Sequence, residues 1–386
     1  MPFDCRYQYV HGHDACVSSC PTRGPGAFFA YQRCDHATDA PQPDASTLDV
    51  AVLDMNHGWP NLGHDAIVHS LRHIACDLLD TLQDAGVRLR VTSYDVRRQG
   101  GLPPFDEGVG LIVVGTGGPG HIDPAMNDGV DPGSQGIAED PSWEPRAFDL
   151  FDRLLAHPDG VLLGICHTFG TMCRWRGVAV PVLRGAEKGG KSAGIQDNLL
   201  TATAEAHPWF GHLAHEHGAR IEVLDSRLYD LIPPGPLPDD VQAIGYETLG
   251  LNGPAGPALT MMEMARDVTG RMPRVFAVNH HPEIVNRPRQ LALLRRRRAH
   301  GDISDEWYEE RRRTLMQTLD DRGGEQPLAL TSSYSLHGPL RYHVTRHLRL
   351  LAERRQRPWP LHEHEVPLAL TRSGLVFSLA ELEVRS

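Results

Sequence analysis

The chain has 386 residues, which allows one large domain with additions or roughly two to three smaller ones. Apolar residues make up 40% and charged residues 23%, with 38 Gly and 30 Pro, a turn-rich globular composition that excludes a disordered, collagen-like or membrane-spanning chain. Basic residues number 38 against 49 acidic ones, and the net charge of −11 argues against nucleic acid or anionic membrane as partner and for a small molecule or a protein.

Residues 1–46 show neither helical nor strand periodicity and close on DHATDAPQPDAS, so they read as an N-terminal extension ending in a linker. The opening MPFDCRYQYVHGHD lacks the apolar stretch of a signal peptide, and no apolar run of about 18 residues follows, so a cytoplasmic protein is expected. Seven cysteines is an odd number, with four in the first 34 residues, and most are expected to be free thiols.

From Leu48 the pattern becomes regular. LDVAVLDM is a short apolar run suited to a strand buried on both faces, and Ile67, Leu71, Ile74, Leu78 and Leu82 then form a helical stripe. VRLRVTSYDV and GLIVVGT supply further strands, followed by a Gly/Pro/Asp-rich segment from 117 to 144, a helix in PRAFDLFDRLLAH and a strand in GVLLGIC. Strands alternating with helices predict a mostly parallel, doubly wound sheet, with the ligand site beyond the carboxyl ends of its strands. GTGGPG (115–120) and GICHTFG (164–170) should both sit there. The segment between Gly117 and Trp143 is roughly 25 residues without periodicity, long enough to predict a functional lid. RIEVLD and RVFAVNHHPEI read as later strands, and Arg-rich helices follow Pro288, one N-capped by Ser304. The run Arg295–Arg298 is expected to pair with the acidic stretch 305–310.

Cys166 ends an apolar strand and precedes residues that can begin a helix, the arrangement that holds a nucleophile on a sharp turn and favours its thiolate. A buried structural cysteine is the alternative. A nucleophilic thiol needs an oriented base, and His281 and Glu283 lie two apart at another strand end, on one side of an extended chain. Gly117, Gly118 and Gly120 leave backbone N–H groups open to an oxyanion.

In this order, GLIVVGTGGPG, LLGICHTFG and VFAVNHHPE resemble the class I (triad-type) glutamine amidotransferases over about residues 48–290. The resemblance implies a flavodoxin-like three-layer α/β sandwich, with Cys166 as nucleophile, His281 as base and acid, and Glu283 as its orienter. It also implies oxyanion donors at Gly118 and His167, beside Gly117. GGKSAGI (189–195) resembles the HGK-S-x-I stretch of the family, placing Lys191 at the pocket. Where the family elbow commonly reads G-I-C-x-G-x-Q, this chain has Thr168 and Gly170, a departure that bears on glutamine specificity rather than on thiol chemistry. His167 beside the nucleophile also occurs in related flavodoxin-like thiol hydrolases, but the separate HPE motif makes His281 the better base.

Only Lys188 and Lys191 are lysine among the 38 basic residues. GAEKGGKS (185–192) satisfies the phosphate-loop pattern, but SAGIQDN after it is not a helix start, so no nucleotide binding is expected. The His-rich spots at 11–13, 215–217 and 362–365 lack the paired spacing of a zinc site. No metal or organic cofactor is implied.

The division is then an N-terminal extension (1–46), an amidotransferase-like domain (47–290) and a C-terminal helical appendage (291–386). The leading expectation is cleavage of an amide, glutamine or an analogue, through a Cys thioester, with ammonia passed to a separate synthetase subunit. Acyl transfer of the homoserine O-acyltransferase kind and a non-catalytic subunit of the same fold remain open.

Overall fold

The computed structural model describes residues 28–35, 39–59, 61–105, 110–184, 192–247, 257–284, 291, 294–295, 298–299, 304–320, 326–357, 367–370 and 376–378. Its strands are β1 (Phe29–Cys34), β2 (Thr47–Asp54), β3 (Arg88–Asp95), β4 (Ile112–Gly115), β5 (Val161–Ile165), β6 (Val180–Leu183) and β7 (Ser192–Leu200). They continue with β8 (Arg220–Arg227), β9 (Tyr229–Ile232), β10 (Gln242–Glu247), β11 (Leu259–Arg266), β12 (Pro273–Val278), β13 (Pro367–Leu370) and β14 (Val376–Ser378). The longer helices are α1 (Leu62–Asp77), α2 (Trp143–Ala156), α3 (His167–Arg176), α4 (Asp305–Asp320) and α5 (Gly338–Arg354).

One sheet of ten strands runs β1-β3-β2-β4-β5-β12-β11-β10-β7-β8. From β1 to β12 every neighbouring pair is parallel, and from β12 to β8 every pair is antiparallel. The stretch β3-β2-β4-β5-β12 has the flavodoxin-like order 2-1-3-4-5, whose ligand crevice opens where the order reverses.

The strands are apolar at consecutive positions because both faces are covered. Val50 and Val52 of β2 join the core beneath α1 and α5, while Ala51 and Leu53 join the core beneath α2 and α3. Helix α1 forms where the sequence stripe predicts it. Asn61 caps it from an extended backbone, its side-chain oxygen accepting from Gly63 N at 2.7 Å.

The C-terminal helix expected from the sequence is present and is part of a layer of the sandwich. Leu340, Val344, Leu348 and Leu351 recur at helical spacing along α5 and are buried in the same core as Ile67 and Leu71 of α1. Tyr342 donates to Asp267 at 2.5 Å, and the His347 ring meets the Asp159 carbonyl at 2.8 Å. The last described segments of the C-terminal region are the strands β13 and β14, which pair antiparallel.

At the other end, Phe29–Cys34 is not an extension outside the sheet but its edge strand, paired in register with β3 from Phe29↔Leu89 to Cys34↔Tyr94. Its burial alternates too weakly to announce a strand in the sequence. Helix α4 starts after Ser304, whose carbonyl accepts from Tyr308 N at 2.9 Å, and Arg298 pairs with Asp305 at 2.7 Å. Cys34, Cys76, Cys166 and Cys173 are free thiols. Among the described residues no helix is long and apolar enough to cross a membrane.

Because α5 shares the central core, Leu348→Ala should destabilise the whole sheet domain by about 2–5 kcal/mol in chemical denaturation. A loss below about 1 kcal/mol would mean that α5 contributes nothing to that core.

Candidate active site

The two motifs that are more than a hundred residues apart in sequence meet because of sheet register. Ile165 of β5 pairs with Val278 of β12, so Cys166 and Asn279 leave the sheet side by side. Cys166 is then the hinge between β5 and α3, with φ 51° and ψ −100°. A non-glycine residue there costs roughly 1–3 kcal/mol and persists only where its surroundings enforce it. Cys166 N donates to the Val278 carbonyl at 2.8 Å, and the Cys166 carbonyl accepts from Gly170 N at 3.1 Å.

His281 is held on the other side by its own backbone, whose N–H donates to the Leu224 carbonyl at 2.7 Å. Its ring hydrogen-bonds the Cys166 side chain, and its Nδ1 lies 2.8 Å from Glu283 Oε1. Burial alone would favour neutral imidazole, but the Glu283 carboxylate, and then Cys166, push the pKa up to about 10. His281 is therefore an imidazolium at neutral pH. Neighbouring His280 is pushed down to about 3 by burial, with His281 and Arg227 adding repulsion, and stays neutral.

Glu283 is buried against the start of α1. The fit depends on Gly63, since a Cβ there would sit 2.4 Å from Glu283 Oε1.

The GTGGPG turn follows β4 and faces the elbow. Gly118 admits no side chain, because a Cβ would lie 2.1 Å from the Met55 carbonyl oxygen. Gly117 borders both Cys166 and His281. The N–H groups of Gly118 and His167 donate to no backbone carbonyl among the described residues, the latter being the first residue of α3. The His167 ring is buried and hydrogen-bonded to the backbone of Gly118, and its pKa is pushed well down by burial, then by Arg97 and His121.

The segment expected to be a lid is stitched to the body. Arg97 and Glu139 form a fully buried ion pair at 2.6 Å, and Arg97 also donates to the carbonyls of Met55 and Pro119 at 2.9 and 2.6 Å. Glu139 in turn accepts from Trp143 Nε1 and Asn127 Nδ2 at 2.8 Å each. This bonding supports a built pocket wall rather than a mobile lid.

Both elbow departures have a structural account. Thr168 Oγ1 donates to the Thr116 carbonyl at 2.8 Å and so ties α3 to the glycine turn. At position 170 a Cβ would lie 2.7 Å from Ile122 Cδ1, so Ile122 occupies the place a longer side chain would take. A cavity of about 190 Å³ opens over Cys166, His167 and His281, and its wall includes Ile122, Tyr229, Asn279 and Arg311.

Asn61, Gly63, Ile122 and Arg311 belong to the site although no sequence motif includes them. Asn61 carried a usable signal, a capping residue just before a helical stripe; nothing in the sequence placed Ile122 or Arg311 at the pocket. Lys191 lies outside the described residues. Ser192 opens strand β7 and donates to Asp225 at 2.8 Å, which is not the helix start that a phosphate loop needs. Among the described residues no group of three or more His, Cys, Asp or Glu side chains is gathered as for a metal ion.

No family model and no curated protein matches the chain. Among solved structures, a glutamine amidotransferase from Thermotoga maritima is 16% identical, with 78% of this chain and 98% of that chain covered and a TM-score of 0.41. A proposed GMP synthase component from Thermoplasma acidophilum is 15% identical over 68% of this chain and 98% of that chain, with a TM-score of 0.34. A proposed ThuA-like protein from Bacteroides uniformis is 11% identical over 67% of this chain and 92% of that chain, with a TM-score of 0.33. Likenesses this distant assign no function.

Protonated His281 stabilises the fold below its ordinary pKa of 6.5, and that contribution is lost as pH rises through about 10. Imidazole NMR should accordingly find His281 charged at pH 8 and His280 neutral at pH 5. In Gly63→Ala, which displaces Glu283, the His281 titration should move to lower pH; an unchanged titration would show that Glu283 does not hold the ring.

Proposed function

We propose that this chain cleaves a carboxamide through a thioester on Cys166, the chemistry of a glutamine amidotransferase. The observation that carries the reading is the hydrogen-bonded series of Cys166, His281 and Glu283, of which Cys166 and His281 line the cavity. In this reading the Cys166 thiolate adds to the amide carbon, and the N–H groups of Gly118 and His167 receive the developing oxyanion. His281 gives its proton to the departing nitrogen as the C–N bond breaks, releasing ammonia and leaving an acyl-cysteine. Neutral His281 then takes a proton from water, which adds to the thioester; collapse of the adduct returns the thiolate and frees a carboxylic acid. Glu283 keeps the imidazole oriented throughout and stabilises its charged form.

The mechanism calls on no metal or organic cofactor. Residues 47–290 are proposed as the amidotransferase-like unit. The ammonia would pass to a synthetase partner, and the protein would work in the cytoplasm without binding nucleic acid or membrane. The Gly170–Ile122 contact leaves glutamine as one amide among several to be tested, because the side chain that the related elbows carry at that point has no room here.

The test follows ammonia release from glutamine and a panel of ω-amides. Cys166→Ala should abolish release without unfolding the chain, and His281→Asn should cost about 100-fold or more in rate, while His280→Asn remains within about tenfold of the parent. Full activity in Cys166→Ala, or dependence on His280 instead of His281, would overturn the assignment.

A further inference from the structure

Few free angles set the placement of Glu283 against His281. The His281 backbone is held at both ends, since its N–H donates to the Leu224 carbonyl at 2.7 Å and its carbonyl accepts from Ile284 N at 3.3 Å. Between the two lies Pro282, whose ring fixes φ. The ψ angle of Pro282 then decides where the planar peptide leading to Glu283 points.

That peptide is tied down from the C-terminal region. The Pro282 carbonyl accepts a hydrogen bond from Ser332 Oγ, and both residues are buried. Ser332 ends the short helix Gln326–Ser332, in the segment that follows the amidotransferase-like unit.

Neighbouring hydroxyls show that this bond is not the default of a helical serine, which can return its hydroxyl to the carbonyl four residues back. Ser333 does so to Ala329 at 2.9 Å, and Ser335 to Thr331 at 2.6 Å. Thr331 and Ser332 reach outward instead, Thr331 to the Glu222 carbonyl of β8 at 2.9 Å and Ser332 to Pro282. Directly after Ser332 the helix widens into a π turn, Ser333–His337, before α5 begins at Gly338. Such turns occur frequently at functional sites. Here the Tyr334 carbonyl accepts from Trp209 Nε1 at 2.8 Å, and a Cβ on Gly338 would lie 2.6 Å from Trp209 Cζ2. Trp209, Tyr334 and α5 share the core beneath the sheet, so Ser332 is held by packed structure.

We infer that Ser332 is a positioning residue, whose hydroxyl fixes the Pro282 peptide and so holds Glu283 against His281, making the C-terminal layer part of the active site. The roles of Cys166, His281 and Glu283 come from the proposed function, but the inference can be read on the imidazole itself.

The test compares Ser332→Ala with Thr331→Val. The latter removes the neighbouring buried hydroxyl bond, and with it a comparable share of stability, while leaving the Pro282 tie in place. Imidazole NMR should find His281 titrating about one pH unit lower in Ser332→Ala, and as in the parent in Thr331→Val. With an amide that the parent cleaves, Ser332→Ala should lower kcat about tenfold and keep KM within about twofold, because a displaced base slows the reaction without loosening the substrate. Ser332→Cys, close in shape but a weaker donor, should move the titration the same way by less, and it carries the test where the alanine variant does not fold.

A His281 titration in Ser332→Ala that matches Thr331→Val would overturn the inference. A displaced titration in a chain that releases ammonia from no amide would keep Ser332 as the positioning residue and sink the amidase reading. Amide cleavage that proceeds in Ser332→Ala at the parent kcat, with the titration unmoved, would sink the inference alone.

Discussion

The site depends on one backbone constraint, the turn of the chain at Cys166 into positive φ. Such a turn aims the side chain out of the sheet instead of along it, and it holds only where neighbouring bonds leave no alternative. The hydrogen bond from Cys166 N to Val278 supplies one such tie and the first turn of α3 another. The central strands β5 and β12 therefore do more than bury apolar surface. Their register fixes the distance between a thiol and a histidine that lie far apart in the chain.

Around that pivot, charge is arranged in layers. The Arg97–Glu139 pair is fully dry and fastens the glycine turn and the following segment to β2 and α2. On the far side, Arg184 and Arg227 share Asp230 and Glu247, with Arg184 at 2.7 Å from Asp230, and so join the antiparallel half of the sheet to the separate pair of strands β6 and β9. Buried pairs of this kind add little net stability but define geometry, since breaking one leaves a charge without compensation. Arg227 belongs to the cavity wall, and the Arg97 pair anchors the glycine turn that forms another part of it. Behind the cavity wall, the buried Glu283 carboxylate raises the pKa of His281.

Much of this was legible in the sequence because it rests on local signals. The apolar runs of β2, β4 and β5 announced a doubly covered sheet, and the strand-to-helix switch at Cys166 announced the elbow. What escaped was non-local. Strand β1 sits at an edge and lacks a clean alternation, so Phe29–Cys34 passed for a linker-bound extension. The stripe Leu340, Val344, Leu348 and Leu351 announces an amphipathic helix but not the sheet that it covers. The long segment after Gly117 read as a lid because its order comes from Arg97, a residue outside it, rather than from periodicity. Arg311 could not be assigned to the pocket for the same reason, since an Arg-rich helix gives no hint of which arginine turns inward.

The most direct measurement is intact-mass analysis of the protein after mixing with a cleavable amide and quenching in acid within the first turnover. The account predicts a transient mass increase equal to the acyl group, mapped to Cys166 by its peptide, labile to hydroxylamine and prolonged in His281→Asn. Ammonia released with no acyl adduct on Cys166 at any time, in the parent or in that variant, would contradict it.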